Sequence, residues 1–326
     1  MIILALILPL FIVPLSLVDT SYGQQSPEFK SYYDQLSDAE KEVYDVCVDP
    51  FGDGNPMGYT WSVLTSTGTV SATEQGTVDI AAKVASLDNP GYFWLWNIPK
   101  LNEDKTLTFE LIEGFDKDAH VKEMKEFADQ ARMDAGTDPS FSAVINAIDS
   151  KLREKAELAG TVEDEPSADN AYGAIVKGKA NSLGFAAAFT YCFKEIYGDD
   201  EGKDVVTIYG KLVDTLGSQE HAWNAVNEGE GWFGVDVALN EKLGVSTYLM
   251  MSSNARGYNT DYTFEASHQP NMAALLGTHM FTPDIQYVKP VPPPEPSFLE
   301  KWGSHIIIIT ITAVLCAVLL AFARRS

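Results

Sequence analysis

Apolar residues along this chain fall into runs with helical or strand period, separated by glycine, proline and acidic clusters. Phe141, Val144, Ile145, Ile148 and Leu152 recur every three or four residues, which predicts a helix over 141–158 with one apolar stripe. Another helix, over 118–135, precedes it. Ser37-Asp38-Ala39-Glu40 is a capping-box pattern and opens a helix that runs to about Val48. A further helix near 78–87 is stopped by Asp88-Asn89-Pro90. Leu107, Phe109 and Leu111 alternate with polar residues, the period of a strand. The dense run Tyr92-Phe93-Trp94-Leu95-Trp96 reads as a buried strand rather than as a carbohydrate-stacking surface.

In the second half, Ser182, Phe185, Phe189, Cys192 and Ile196 keep helical spacing, which predicts a helix over 182–197 with Ser182 at its start on the inward face. Strand-like runs follow at 204–211, 221–226 and 232–237. Asn227-Glu228-Gly229-Glu230-Gly231 makes a hairpin of the runs at 221–226 and 232–237. Folding about Gly229 sets His221 and Asp236 on neighbouring strands within about a residue of register.

Both ends carry membrane signals. Residues 2–18 are apolar, with Pro9 and Pro14 inside, and Ser21-Tyr22-Gly23 follows with small residues where a signal peptidase reads. A cleaved signal over 1–23 is expected; without a basic leader, an uncleaved anchor is the alternative. Residues 306–323 are apolar except for Thr310 and Thr312, and as a helix would extend about 27 Å, enough to cross a bilayer core. Arg324 and Arg325 on the cytoplasmic side and Trp302 at the interface give a single-pass anchor with the main domain extracellular. Lys289-Pro290-Val291-Pro292-Pro293-Pro294-Glu295-Pro296 reads as a stiff spacer, and Pro294-Glu295-Pro296 admits a sorting tail as the alternative. The expected organisation is a signal peptide over 1–23, a mixed N-terminal region over 24–160, a core over 161–288, a linker over 289–303 and an anchor over 304–326.

The 326 residues are 45% hydrophobic and carry a formal charge of −23, which excludes nucleic acid as a partner because nothing here would neutralise phosphates. Cys316 lies in the anchor run, and Cys47 and Cys192 have no spacing that marks a disulfide framework or a metal site. His268 and His279 form a histidine pair without adjacent carboxylates or thiols, so no metal is expected there. Neither a P-loop nor a dinucleotide-binding glycine pattern occurs, and no cofactor is expected.

The segment Lys177-Gly178-Lys179-Ala180-Asn181-Ser182-Leu183-Gly184-Phe185-Ala186, then His221-Ala222-Trp223-Asn224, then Val235-Asp236-Val237, resembles the transglutaminase-like superfamily. That pattern places Cys, His and Asp in this order on a papain-like core. The likeness covers 171–251 firmly and 31–160 loosely, where Asp88-Asn89-Pro90-Gly91-Tyr92-Phe93-Trp94 resembles an upstream segment of bacterial and archaeal relatives. It implies an α+β fold with a papain/transglutaminase-like core, a helix packed on an antiparallel sheet, in which Val245 to Met250 continues the family's usual strand after the Asp. The chain's own patterns add a helical N-terminal region and the C-terminal transmembrane helix. It also implies triad positions at Ser182, His221 and Asp236, with serine where the family has its nucleophilic cysteine. A cysteine at a helix start gains thiolate character from the helix dipole and a neighbouring histidine; a serine does not reach that state. A second departure is Ala238-Leu239-Asn240, where the family has Thr-Trp-Asp.

Three readings of Ser182 stay open: a degenerate site that binds without turnover, a working Ser-His-Asp acyl transferase or hydrolase, and a mere helix cap. The resemblance favours a catalytically impaired surface protein that binds protein, peptide or cell-wall ligands, the alternative being an active amidase, protease or acyl transferase. Cys192 is a core residue in this reading, Trp223 packs beneath the site, and the oligomeric state is left open.

Overall fold

The computed structural model describes residues 32–52, 62–159, 165–198, 202–229, 231–258, 261–277 and 285–289. The signal segment 1–23, the linker beyond 289, the anchor 304–326 and His279 lie outside the described residues. Among the described residues no helix is long and apolar enough to cross a membrane.

The N-terminal region holds α1 (Asp38–Val48), β1 (Val63–Thr65), α2 (Gln75–Asp88), β2 (Lys100–Leu101) and β3 (Leu107–Glu110), followed by α3 (Lys117–Asp134) and α4 (Phe141–Lys155). Two short strands, β4 (Glu157–Leu158) and β5 (Lys179–Ala180), pair in parallel. Then come α5 (Ser182–Tyr197), β6 (Asp204–Asp214), β7 (Gly217–Asn227), β8 (Trp232–Val235), α6 (Val237–Leu243), α7 (Phe264–Ser267), β9 (His268–Pro270) and α8 (Met272–Leu276). The main sheet is antiparallel, in the order β8-β7-β6-β9.

Helix α1 begins as its sequence demands: the Ser37 hydroxyl accepts the Glu40 N–H while the Glu40 carboxylate accepts the Ser37 N–H at 2.8 Å. α4 carries the stripe Phe141, Val144, Ile145, Ile148 and Leu152 inward. It ends at Lys155, three residues before the expected limit, because Glu157 and Leu158 join β5. The aromatic run is not a strand. Phe93–Leu95 forms a single 3-10 turn that buries three consecutive side chains, and the Trp94 indole donates to the Cys47 carbonyl at 2.8 Å. A strand would have sent Trp94 to the opposite face from its neighbours.

α5 is the centre of the molecule. Its residues Gly184 to Phe193 are all buried, which requires neighbours on every side. α3, α4 and α6 pack on one side, and β6 and β7 on the other. The helix is pinned to the sheet by Asn224, whose Nδ2 donates to the Ala186 carbonyl at 3.1 Å and to Thr190 Oγ1 at 2.9 Å. It is pinned to the N-terminal region at Asp88: burial pushes that carboxyl up to about 6, against the pull of Lys194 on α5 and a 3.1 Å hydrogen bond from the Tyr44 hydroxyl. Lys194 also donates to the Asp88 carbonyl. Cys47 and Cys192 are buried and free, so Cys192 is the core residue its spacing implied.

Two strand expectations fail for a shared reason. β8 stops at Val235 rather than at Val237, because Asp236 turns to cap α6, its Oδ1 accepting the Leu239 N–H at 2.8 Å. The segment 245–250 then bends around Asn240, whose Oδ1 accepts the Tyr248 N–H at 2.9 Å. In place of the expected strand stand the bond from the Asp236 N–H to the Tyr248 carbonyl and, one residue past the segment, an isolated bridge between Gly234 and Met251. The hairpin itself forms, with Asn224 opposite Val235, which leaves His221 and Asp236 two positions apart rather than one. Beside it the Tyr287 hydroxyl accepts the Trp223 indole N–H at 2.9 Å, and Tyr287 bridges to Trp232.

Gly184 admits the first turn of α5 close to the chain before it, since a Cβ there would overlap the Ala168 carbonyl. Gly184→Ala should therefore destabilise the protein by about 1–3 kcal/mol, read as a lower midpoint in chemical denaturation. An unchanged midpoint would show that the helix start shifts freely.

Candidate functional site

Asn181, and not Ser182, caps α5: its Oδ1 accepts the Leu183 and Gly184 N–H groups at 2.9 and 3.0 Å. Ser182 is the first helical residue, half-buried, at the positive end of the helix dipole. Capping is thus not its role. β8 pairs with β7 only as far as Asn224, and beyond that point the Ala222 N–H donates to Ser182 Oγ at 3.1 Å. The Ser182 hydroxyl proton has no hydrogen-bond acceptor among the described residues.

His221, on β7, is joined through Nε2 to Asp236 Oδ2 at 2.6 Å. In the tautomer that donates to the carboxylate, Nδ1 carries a lone pair and is free to act as a base. Trp223 lies two residues along the same face of β7, its ring parallel to the imidazole, as expected of packing beneath the site. Asp236 is fully buried and is held from several sides. Its own N–H donates to the Tyr248 carbonyl at 2.9 Å, Leu239 N–H occupies Oδ1, and Oδ2 receives His221.

The same Oδ2 receives a second histidine. His268 Nε2 lies 3.0 Å from it, and His268 Nδ1 lies 2.9 Å from Ser267 Oγ. The His268 ring stacks on Phe264 with centroids 3.8 Å apart. Burial, which alone would raise the Asp236 carboxyl, is outweighed by the charge and hydrogen bond of His221 and by the hydrogen bond from His268, so the carboxyl is held well below the usual range. Burial holds His268 below the ordinary histidine value, against the opposing pull of Asp236. The Ser267 hydroxyl donates to the Phe264 carbonyl at 3.1 Å, and that carbonyl also lies 3.1 Å from His268 Nδ1.

Ser182 and His221 open onto one groove of about 490 Å³, whose walls also include Asn181, Tyr209, Glu220 and Lys242. The three residues expected from the sequence are therefore brought together: two line the groove, and the third stands behind His221. His268 was not anticipated at this position. It stands far along the chain from Asp236, and only the pairing of β9 with β6 carries it there, a contact with no signature in the spacing. Among the described residues, His221, Asp236 and His268 are the one group with donor atoms close enough to share a cation. Their nitrogen–oxygen separations of 2.6 and 3.0 Å are hydrogen-bond lengths, shorter than the roughly 3.3 Å between ligands of one tetrahedral ion.

Because folding holds His268 neutral, the unfolded chain gains a proton at this position below about pH 6.5 that the folded protein resists. Wild type should lose stability there relative to His268→Gln, which keeps an N–H donor and cannot titrate. The difference in unfolding free energy should move against wild type between pH 7 and pH 5, measured in urea. Asp88 acts in the opposite sense in this window, since its carboxyl is raised, but it is common to both proteins and cancels. The contribution of Asp236 is present above about pH 4 and is lost only below it. A difference that stays constant with pH would mean that His268 does not titrate as its burial demands.

No protein-family model matches the chain, and no curated protein matches it by sequence. Among solved structures, a TGase is similar at 11% identity and a TM-score of 0.31, over 51% of this chain and 48% of that one. A "putative cysteine protease" from Cytophaga hutchinsonii is similar at 11% identity and a TM-score of 0.28, over 41% of this chain and 51% of that one. The chain thus spans about half the length of each. At that level of agreement neither neighbour carries weight for the site, which rests on the chain's own geometry.

Proposed function

We propose that this is a transglutaminase-like protein, anchored at the cell surface, whose groove binds protein, peptide or cell-wall ligands without efficient turnover. The observation that carries this reading is the state of Ser182. Its Oγ accepts the Ala222 N–H and makes no hydrogen bond to His221, although His221 is already paired with Asp236. A serine hydroxyl attacks only when a base removes its proton in the same step, and that contact is missing. A groove with a histidine base, a helix start and no activated nucleophile can hold a carbonyl compound without acylating itself. The anchor at 304–326 and an extracellular main domain belong to the same proposal and rest on the apolar run and the terminal arginines.

One observation favours a second reading, an active Ser-His-Asp amidase, protease or acyl transferase. The His221–Asp236 hydrogen bond is short and buried, which is the half of a triad hardest to assemble. Catalytic contacts often tighten only when substrate binds.

A fluorophosphonate separates the two. Wild type should give no adduct by intact mass, whereas Ser182→Cys should alkylate with iodoacetamide faster than a free thiol and lose that advantage when His221→Ala is added. Burial raises the thiols of Cys47 and Cys192 well above their ordinary value, and peptide mapping identifies the labelled site. A single fluorophosphonate adduct at Ser182, lost in His221→Ala, would put the enzyme reading first.

A further inference from the structure

The groove has an apolar annex. A cavity of about 160 Å³ lies between the N-terminal region and α5, lined chiefly by Leu87, Leu95, Trp96, Ile98, Leu183 and Leu275. Leu183, Leu275 and Asp169 line both this cavity and the groove of Ser182, so the two adjoin along that wall. Leu183 follows Ser182 directly, which places the shared wall one residue from the nucleophile position.

The two compartments differ in chemistry. The groove presents Tyr209, Gln219, Glu220 and Lys242, groups suited to a polar backbone. The annex presents mostly carbon, and its cation is engaged: Lys83 Nζ donates to the Leu275 carbonyl at 2.9 Å and braces α2 against α8. Ile98 stands 37% exposed at this wall, an apolar surface facing water until something covers it. An apolar cavity of about 150 Å³ is known to take one benzene ring, so this volume admits a single phenyl or leucyl side chain.

We infer that the annex is a side-chain subsite: it takes one phenylalanine-sized apolar side chain of a peptide whose backbone lies in the groove beside Ser182 and His221. This rests on the groove-binding reading and adds the substrate class, peptides with a bulky apolar residue next to the carbonyl held at Ser182. It also gives the N-terminal region a part in recognition, since α2 and the turn at 93–98 form the cavity's outer wall.

The test uses the full-length chain carrying Ser182→Cys and three alkylating probes: iodoacetamide, iodoacetyl-phenylalaninamide and iodoacetyl-alaninamide. In each case the introduced thiolate displaces iodide, and mapped mass reports the rate at that position. The phenylalanine probe should react about tenfold faster than the alanine probe, the ratio expected for burying one phenyl group. Adding Ser86→Phe, which fills the annex from a half-buried position on α2, should bring the ratio close to one and leave the iodoacetamide rate unchanged. Ile98→Asp, on the half-exposed wall, should lower the ratio without any demand on core packing. Equal rates for the two amino-acid probes, with a brisk iodoacetamide reaction, would overturn the subsite and leave the groove reading intact. That result would assign the cavity to another occupant, such as a segment of this same chain. No reaction above the free-thiol rate with any probe would overturn the groove reading and the subsite with it.

Discussion

A carboxylate with no access to water must be met by donors from its surroundings, and Asp236 shows how much of a fold that demand can organise. Its hydrogen-bond donors come from β7, from the first turn of α6 and from β9. Its own N–H reaches the Tyr248 carbonyl and draws in the loop beyond α6. Each of these contacts dictates a backbone event: the end of β8, the start of a helix, the return of the chain to the far edge of the sheet. His221 inherits a fixed ring orientation as a by-product. The reactive face of the groove is thus set from behind, by a residue that never touches a ligand.

Much of this was legible in the amino-acid sequence, and the legible parts are those governed by neighbours in the chain. The capping box at Ser37 is a local contest for N–H groups, and the stripe on α4 is a period; both survive into the structure. The start and end of α5 were readable for the same reason, as was Cys192 as core. What failed was decided at a distance. The aromatic run has the composition of a strand, but the Trp94 indole is claimed by a carbonyl on α1. Of the three readings left open for Ser182 the cap falls away, because the side chain of the adjacent Asn181 takes the two free N–H groups. His268 gave no sign at all, because its place depends on a three-residue strand joining the edge of β6. The apolar ends and the spacer fall outside the described residues, so their reading stands on the sequence alone.

The N-terminal region is bound into the core rather than appended to it. Asp88 and Lys194 meet where α2 ends against α5, and the Tyr44 hydroxyl completes the contact from α1. That junction fixes α2 against the same helix whose first residue is Ser182. Any ligand that presses on the wall formed by α2 presses, through one rigid contact, on the helix that carries the nucleophile position.

Tyr287 gives the molecule a mechanical character. It is where the chain leaves the compact unit, and it is fastened there by the Trp223 indole and by a bridge to Trp232. A pull on the chain beyond Tyr287 is therefore delivered first to β7 and β8, the two strands that lead to His221 and Asp236, and not to a surface loop. Were the chain loaded from beyond this point, the force would reach the walls of the groove through the same two tryptophans.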